Sequence, residues 1–387
     1  MTTDFLIVGA GFSGLVIAER LTNAGFQCVV VDKRDHIGGN AHDFHDDAGV
    51  LIHRYGPHYF RTNSPRIVEY LSRFTEWHAV DYTIKSFTDG RYWSFPINLN
   101  TFEEWLGRPS STEEMEAWLA QTRADQPDPR NSEEAVLSQV GEDFYRRFFE
   151  GYTLKQWKRH PRDLDASVCG RIPVRTNRDD RYLREEFQAL PKDGYTAMFE
   201  RMIAASPGLK LHLGTDYQTA QREWSYRHLV FTGPIDEYYN RCFGALPYRS
   251  LRFETESFTG DELKEREAVS GKAGFWQPAM QVNFPDADVP YTRIVEIKHA
   301  TGQAIEGTTI VREFPHDWSP GEEPFYPIPA PDTKTLYQRY AELGEKEESI
   351  TFTGRLGTYR YYNMDQVTGM ALTEAEKLIS KYSATVP

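Results

Sequence analysis

The chain has 387 residues, 40% hydrophobic and 14% aromatic, with 57 acidic against 44 basic side chains and a net charge of −13. That length exceeds what one core usually sustains, so two or three domains are expected. The negative balance argues against nucleic acid and against an anionic membrane surface as partners, and no apolar run approaches the roughly 20 residues of a membrane helix.

Phe5 to Gly14 reads FLIVGAGFSG, an apolar run leading straight into Gly-x-Gly-x-x-Gly, and a second apolar run, Cys28 to Val31, ends at Asp32. A glycine pattern alone is weak evidence. With a strand before it, a helix (Ser13–Asn23) after it and the acid at this spacing, it is the dinucleotide-binding βαβ fingerprint of a Rossmann-like domain. Gly9 permits the tight turn, Gly11 admits a pyrophosphate close to the backbone, and Gly14 lets helix and strand pack. The helix N-terminus, with Phe12 and Ser13, offers N–H groups to the phosphates. Asp32 is placed for a ribose hydroxyl, with Lys33 beside it. A second glycine pair follows in HIGGNAHD, where Gly39 and Asn40 are cofactor candidates. Near the C-terminus, a short strand at Ser349–Phe352 runs into TGRLGTYRYYNMD and a helix over Asp365–Tyr382. Glycine-rich segments at both ends favour FAD over NAD. The fingerprint begins at Phe5, which leaves no room for a signal peptide. Cys28, Cys169 and Cys242 are odd in number and far apart, so a reducing cytoplasm is expected. The cluster His42, His45, Asp46 and Asp47 has no metal-site spacing and reads as a polar turn; no metal is expected.

Further along, Ile67–Phe74 reads as a short helix and Tyr82–Phe95 as a hairpin turning at Asp89-Gly90. From Thr101 to about Lys158 the pattern is helical, broken at Arg108–Ser111 and Gln126–Asn131, with a capping box between Asn131 and Glu134. Tyr195–Ala205 is helical and His228–Phe231 is a strand. Tyr248 to Phe314 alternates as β-structure, an antiparallel sheet shared with the hairpin. Phe314–Pro331, with six prolines and an exposed-looking aromatic pair, Phe325 and Tyr326, reads as an irregular connection or a loop over a site.

Two segments carry candidate chemistry. RIPVRTNRDDRYLR, Arg171 to Arg184, holds five arginines in fourteen residues of an otherwise acidic chain. It reads either as a solvated loop paired with Asp179, Asp180 and Glu185 or as a phosphate grip, since guanidinium forks suit a diphosphate. In YRRFFEGYTLKQW, Tyr145, Phe148, Phe149 and Tyr152 share one helical face, which is either core or an aromatic floor for a planar base. Gly151 is expected to break the helix there. No nucleophile elbow or Ser/Cys-His-Asp order is present, so a cofactor is expected to supply the chemistry.

GYTLKQW (151–157), RIPVR (171–175), LPKDGYT (190–196), VPYTRI (289–294), FYPI (325–328) and GRLGTYRY (354–361) resemble the bacterial UDP-galactopyranose mutases in order and spacing. The resemblance implies an α/β fold: an FAD-binding Rossmann-like domain (1–78, 191–240 and 330–387), an inserted helical domain (99–180) and a twisted antiparallel β-sheet domain (79–98, 181–190 and 241–329). It implies an isomerase that interconverts pyranose and furanose nucleotide sugars, UDP-galactopyranose and UDP-galactofuranose by default, with N5 of reduced FAD as nucleophile. By position, Arg171 and Arg293 would grip the diphosphate, with Tyr182, Tyr326 and Tyr361 as donors to it. Phe148, Phe149, Tyr152, Thr153, Trp157, Asn98 and Asn283 would line the nucleotide and sugar pocket. His58, Arg355, Tyr361, Tyr362, Asn363 and Met364 would lie along the flavin, and Arg171–Asp180 would be a mobile lid. Two positions depart from the family pattern. Arg61 stands where GPHIFHT has its second histidine, which places a fixed cation by the sugar and is associated with relatives that also take N-acetylgalactosamine. Asn363 stands where RYLDMD has an aspartate. Both bear on the sugar, and a deoxy-sugar nucleotide is a further alternative. An ordinary flavin oxidoreductase and a non-catalytic nucleotide-sugar-binding flavoprotein are the competing classes. A homodimer is the expected assembly.

Overall fold

The structure, a computed structural model, describes residues 1–383; residues 384–387, the end of the expected FAD-binding segment, lie outside it. The apolar run Phe5–Val8 forms the strand Thr2–Val8, the middle of a five-stranded parallel sheet. Its neighbours are Cys28–Asp32 on one side and Ser225–Phe231 on the other, with Leu209–Leu213 and Ile350–Phe352 at the edges. Successive side chains point to opposite faces. Phe5, Ile7 and Val30 pack under the helices Phe12–Asn23, Tyr195–Ala204 and Met364–Ser383. Leu6, Val29 and Val31 pack on Ala220 and Trp224 behind the sheet. A strand covered on both faces needs no polar alternation, which is why it reads as a continuous apolar run. Each such side chain contributes about 1.5–3 kcal/mol relative to exposure. Strand order reverses beside Thr2–Val8, so the crevice at the strands' carboxyl ends opens at the glycine turn.

The inserted region is helical, as the periodicity predicts: Leu99–Leu106, Thr112–Thr122, Ser132–Phe144 and Gly151–Trp157. Ser111 caps its helix by accepting from Glu114 N at 3.3 Å, and Asn131 does the same from Glu134 N at 2.9 Å. The expected return bond of the capping box is absent. Glu134 Oε2 accepts from Arg130 N at 2.8 Å instead. The expected break at Gly151 is also absent. The chain stays helical through a π turn at Tyr145–Glu150 and on through Gly151. A Cβ on Gly151 would stand 2.4 Å from Pro285 O, so the glycine serves close packing rather than helix termination.

The third element is a seven-stranded sheet in the order Tyr326–Pro327, Tyr248–Phe258, Thr308–Asp317, Arg293–Val295, Gln281–Asn283, Ile84–Thr88, Arg91–Phe95. The hairpin turns at Asp89 (φ 53°) and Gly90 (φ 73°), the pair of positive φ angles that this turn demands. Gln281–Asn283 runs parallel to Ile84–Ser86, so the sheet is mixed rather than purely antiparallel. The helix Asp261–Ser270 interrupts the region that reads as β, and Phe325 is buried against Tyr55 and Phe253 rather than exposed. A small sheet of Phe60–Thr62, Phe187–Pro191 and Trp77–Ala79 lies across the boundaries expected at 78/79 and 190/191. No helix among the described residues is long and apolar enough to cross a membrane.

Candidate active site

Three glycine turns converge at the carboxyl end of the parallel sheet. Gly9 sits at φ +108°, and a Cβ there would overlap Thr232 Oγ1, which donates to Val8 O at 2.7 Å. A Cβ on Gly39 would stand 3.0 Å from Gly11 Cα, and one on Gly354 2.7 Å from Ser13 Oγ. Side chains at these positions would fill the cradle, so the residues present fit a pyrophosphate laid on bare backbone at a helix N-terminus. Gly9, Gly11, Phe12, Ser13, Asp32, Lys33, Gly39, Asn40, His58, Arg355, Tyr362 and Met364 all line this cleft.

Asp32, besides lining this cleft, has a structural task. Its Oδ2 accepts from Ala10 N at 2.8 Å and its Oδ1 from Arg34 N at 2.9 Å, which fixes the turn itself. The sequence reading missed Arg34, which lies 4.4 Å over the Tyr55 ring, donates to Asn40 Oδ1 at 2.8 Å and pairs with Glu323 at 2.7 Å. His58 donates from Nδ1 to Gly56 O at 2.8 Å. Burial first, then His53, Arg355 and Arg293, push its pKa down to about 3, so the ring is neutral and Nε2 is left as an acceptor.

Next to this cleft lies a second pocket. One helical stretch supplies Phe148, Phe149, Tyr152, Thr153, Gln156 and Trp157. The remaining walls are Arg171, Tyr182, Asn283, Arg293, Tyr326 and Tyr361. The Arg171 guanidinium stands 4.6 Å over the Tyr361 ring and has no carboxylate partner among the described residues. Three of its neighbours in the arginine run are spent on structure, and the fourth, Arg184, is exposed and lines neither cleft. Arg175 holds the Arg181 and Leu183 carbonyls, Arg178 pairs with Glu103, and Arg181 pairs with Asp179. The phosphate reading of that run therefore narrows to Arg171. Arg293 enters from its strand with Nε donating to the fully buried Glu313 Oε2 at 2.6 Å. Gln281, which accepts from Tyr59 OH at 2.7 Å and lies 3.5 Å from Arg293 Nη1, braces it from the side. Glu313, Gln281 and Tyr59 went unseen in the sequence because their job is to hold another side chain. Lys155 likewise donates to the carbonyls of Asp286, Val289 and Tyr291 at 2.8–3.1 Å, tying the aromatic helix to the loop before Arg293.

Four expected site residues are not brought here, the first being Gly14, which is packed against the Gly9 carbonyl and lines neither cleft. Asn98 is fully buried as the cap of Leu99–Leu106, its Oδ1 accepting from Asn100 N and Thr101 N at 2.8 and 3.2 Å. Arg61 lines neither cleft; strand pairing turns it to Glu185, where Nε donates to Oε1 at 3.0 Å. Asn363 lines neither cleft, and its backbone N–H donates to Gln366 Oε1 at the start of the last helix. Cys169 lines the second pocket, but burial pushes its thiol up, which makes it a poor nucleophile. No His, Cys, Asp and Glu group among the described residues could hold a metal.

Tyr361 is electrostatically unusual. Burial raises its phenol, but Arg171, Arg355 and Arg293 more than offset this and bring it down to about 7. One tyrosinate should therefore titrate by ultraviolet difference absorbance near pH 7 in the holoenzyme. Inorganic pyrophosphate, by neutralising those arginines, should move the titration upward. The same signal in Tyr361→Phe would show that another group is responsible.

A doubly wound sheet with a glycine cradle, joined to an aromatic pocket holding two arginines, defines a dinucleotide-dependent enzyme acting on an anionic, ring-bearing substrate. The comparisons with known proteins agree. A family model described as UDP-galactopyranose mutase matches residues 147–361, and a NAD(P)-binding Rossmann-like domain matches 7–74. A probable UDP-galactopyranose mutase of Klebsiella pneumoniae is 37% identical over 97% of this chain and 95% of its own length. A dTDP-fucopyranose mutase of Escherichia coli is 35% identical over 93% and 94%. A crystal structure of reduced UDP-galactopyranose mutase superposes with a TM-score of 0.74 at 17% identity, covering 98% of this chain and 96% of the other. The chain belongs to the UDP-galactopyranose mutase family of flavin-dependent nucleotide-sugar mutases, and FAD is its cofactor.

Proposed function

We propose that this enzyme interconverts UDP-galactopyranose and UDP-galactofuranose. The observation that carries the reading is the pairing of two guanidinium groups, Arg171 and Arg293, in one aromatic-walled pocket that adjoins the dinucleotide cleft and holds no activated protein nucleophile. Reduced FAD supplies the nucleophile for the anomeric carbon, at N5. The chain's own residues do the rest. Arg171 and Arg293 hold the diphosphate and steady it as a leaving group. Tyr182, Tyr326 and Tyr361 donate to its oxygens. Phe149, Tyr152 and Trp157 offer flat faces to the base, and Asn283, whose Oδ1 already accepts from Gln281 Nε2 at 2.7 Å, keeps its amide N–H groups for it. Neutral His58 accepts within the dinucleotide cleft. The segment Arg171–Asp180 closes over the bound diphosphate, which sets Arg171 and excludes water.

A second reading, a deoxy-sugar or dTDP-linked substrate, is favoured by the near-equal identity to the dTDP-fucopyranose mutase and by the departures at Arg61 and Asn363. Arg61 is engaged by Glu185, so its cation is not free to read the sugar in this conformation. Anaerobic incubation of the holoenzyme with dithionite and UDP-galactose, UDP-N-acetylgalactosamine or dTDP-fucose, followed by chromatography, decides between them. Furanose product should form from UDP-galactose only with reduced flavin, and with no reductant consumed per turnover, because the product is an isomer. Stoichiometric NADPH oxidation coupled to sugar conversion would instead make this an oxidoreductase. Localisation in the cytoplasm is our reading from three unpaired cysteines, two of them buried.

A further inference from the structure

Outside the two clefts a hollow of about 1090 Å³ lies where the helical insertion meets the segment Pro327–Gln338 and the turn before the last helix. Six cations line it against three carboxylates, Asp163, Asp165 and Asp332, in a chain whose overall balance is −13. Two of the cations are neutralised, Arg130 by Glu134 and Arg159 by Asp332. Lys158, Arg162, Lys334 and Arg360 are exposed and make no ion pair among the described residues. Asp163 and Asp165 are exposed as well, Asp165 Oδ1 accepting from Ser167 N and Oγ at 2.9 and 2.6 Å, so the four unpaired cations face two remaining carboxylates. The groove is continuous with the catalytic region. Tyr361 lines both the groove and the arginine pocket, and Tyr362 lines both the groove and the dinucleotide cleft. Three wall segments also run from pocket to groove: Trp157 to Lys158, Val168 to Ser167, and Tyr326 to Pro327.

We propose that this groove is the electrostatic port of the enzyme: it gathers the dianionic diphosphate of the nucleotide sugar from solution and passes it by way of Tyr361 to Arg171. The inference rests on the nucleotide-sugar reading above. Physically, a concave surface with an excess of one sign focuses its field and raises the association rate of an opposite charge by about 10- to 1000-fold. An acidic protein needs such a patch, because its mean field repels the substrate. Four unpaired cations against two carboxylates at the mouth, in a chain of net charge −13, make this the attractive approach for an anion.

The test uses the FAD holoenzyme and UDP, with dTDP in parallel, followed by stopped-flow quenching of tryptophan fluorescence, since Trp157 lines the pocket. The double variant Arg162→Glu/Lys334→Glu reverses two charges that touch neither cleft, and Arg162→Gln/Lys334→Gln removes them more gently. At roughly 0.01 M ionic strength, where fields reach about 30 Å, the association rate constant should fall on the order of tenfold in the glutamate variant and less in the glutamine variant. The dissociation rate constant should not change. At about 1 M salt, where the reach is about 3 Å, all three proteins should converge. Equal association rates at low salt would overturn the port while leaving the substrate reading intact, because the nucleotide still binds. A loss that persists at high salt would also overturn it, by showing a direct contact. Failure of both UDP and dTDP to bind the unsubstituted enzyme, checked by calorimetry, would end the substrate reading and the port with it.

Discussion

Arg171→Ala and Arg293→Ala should each lower kcat/KM by at least about 100-fold, which is roughly 2.7 kcal/mol, while the ratio of FAD to protein stays at its normal value. On the proposed reading each guanidinium would contribute a charge-assisted contact of about 1.5–3 kcal/mol to the diphosphate and would also place the anomeric carbon, so the loss in rate should exceed the loss in binding. The two variants should part company in stability. Arg171 has a tyrosine beneath it and no carboxylate, so its removal leaves no orphaned charge. Arg293 is the counter-ion of Glu313, which is fully buried and whose Oε1 already lacks a partner. Removing one member of a buried pair costs about 3–5 kcal/mol. Arg293→Ala should therefore melt several degrees lower than Arg171→Ala, and Arg293→Ala/Glu313→Gln should regain much of that Tm without regaining activity. The measurements are furanose formation, flavin content and thermal unfolding. Near-normal turnover in either single variant would mean that the phosphates are held elsewhere.

What the sequence made legible follows a physical line. Residues whose type the expected chemistry restricts stood out: the glycines of the cradle, the aromatic helix, Arg171, Arg293, Tyr326 and Tyr361 come together in two adjoining clefts. Residues that hold those residues were not visible. Glu313, Gln281 and Tyr59 make their contacts across 10 or more positions of chain, and no local period announces a carboxylate under an arginine or a phenol bracing an amide. Gly151 was misread for a related reason. Glycine has two uses in a helix, termination and close approach, and only the Pro285 carbonyl lying against it tells them apart. Arg61 shows the opposite failure. The motif places it beside the sugar, but a β-ladder with Phe187–Pro191 decides where the guanidinium goes, and Glu185 at the end of that ladder takes it. The helix Asp261–Ser270 was lost within a run of alternating strands because its residues are mostly charged, with only Leu263 and Ser270 buried.

Gly14→Ala and Gly11→Val should both yield protein with little or no FAD, for different reasons that unfolding can separate. Gly14 lies inside the protein's own packing. A Cβ there would stand 1.9 Å from Gly9 O and 3.2 Å from Ile7 Cγ2, so strand and helix must move apart. The carbonyl cannot yield cheaply, because Gly9 is held at φ +108° and its N–H donates to Val31 O at 2.8 Å. The cost should reach about 3 kcal/mol, the upper part of the range for overpacking, and should appear in the apoprotein as well as the holoenzyme. Gly11 is different. The nearest atom to its added Cβ is Gly39 Cα at 3.4 Å, an ordinary contact, so the apoprotein has room for the first carbon. What valine fills is the space over which a pyrophosphate approaches the backbone. Gly11→Val apoprotein should therefore melt close to the unsubstituted apoprotein, and only the stabilisation supplied by bound FAD should be missing. The check is a pair of melting curves for each protein, with and without added FAD, together with the yellow colour of the purified protein. A Gly14→Ala apoprotein as stable as the unsubstituted one would show that the helix does not rest on the Gly9 carbonyl. A Gly11→Val protein that keeps its full flavin would show that the cofactor's phosphates do not lie on this turn.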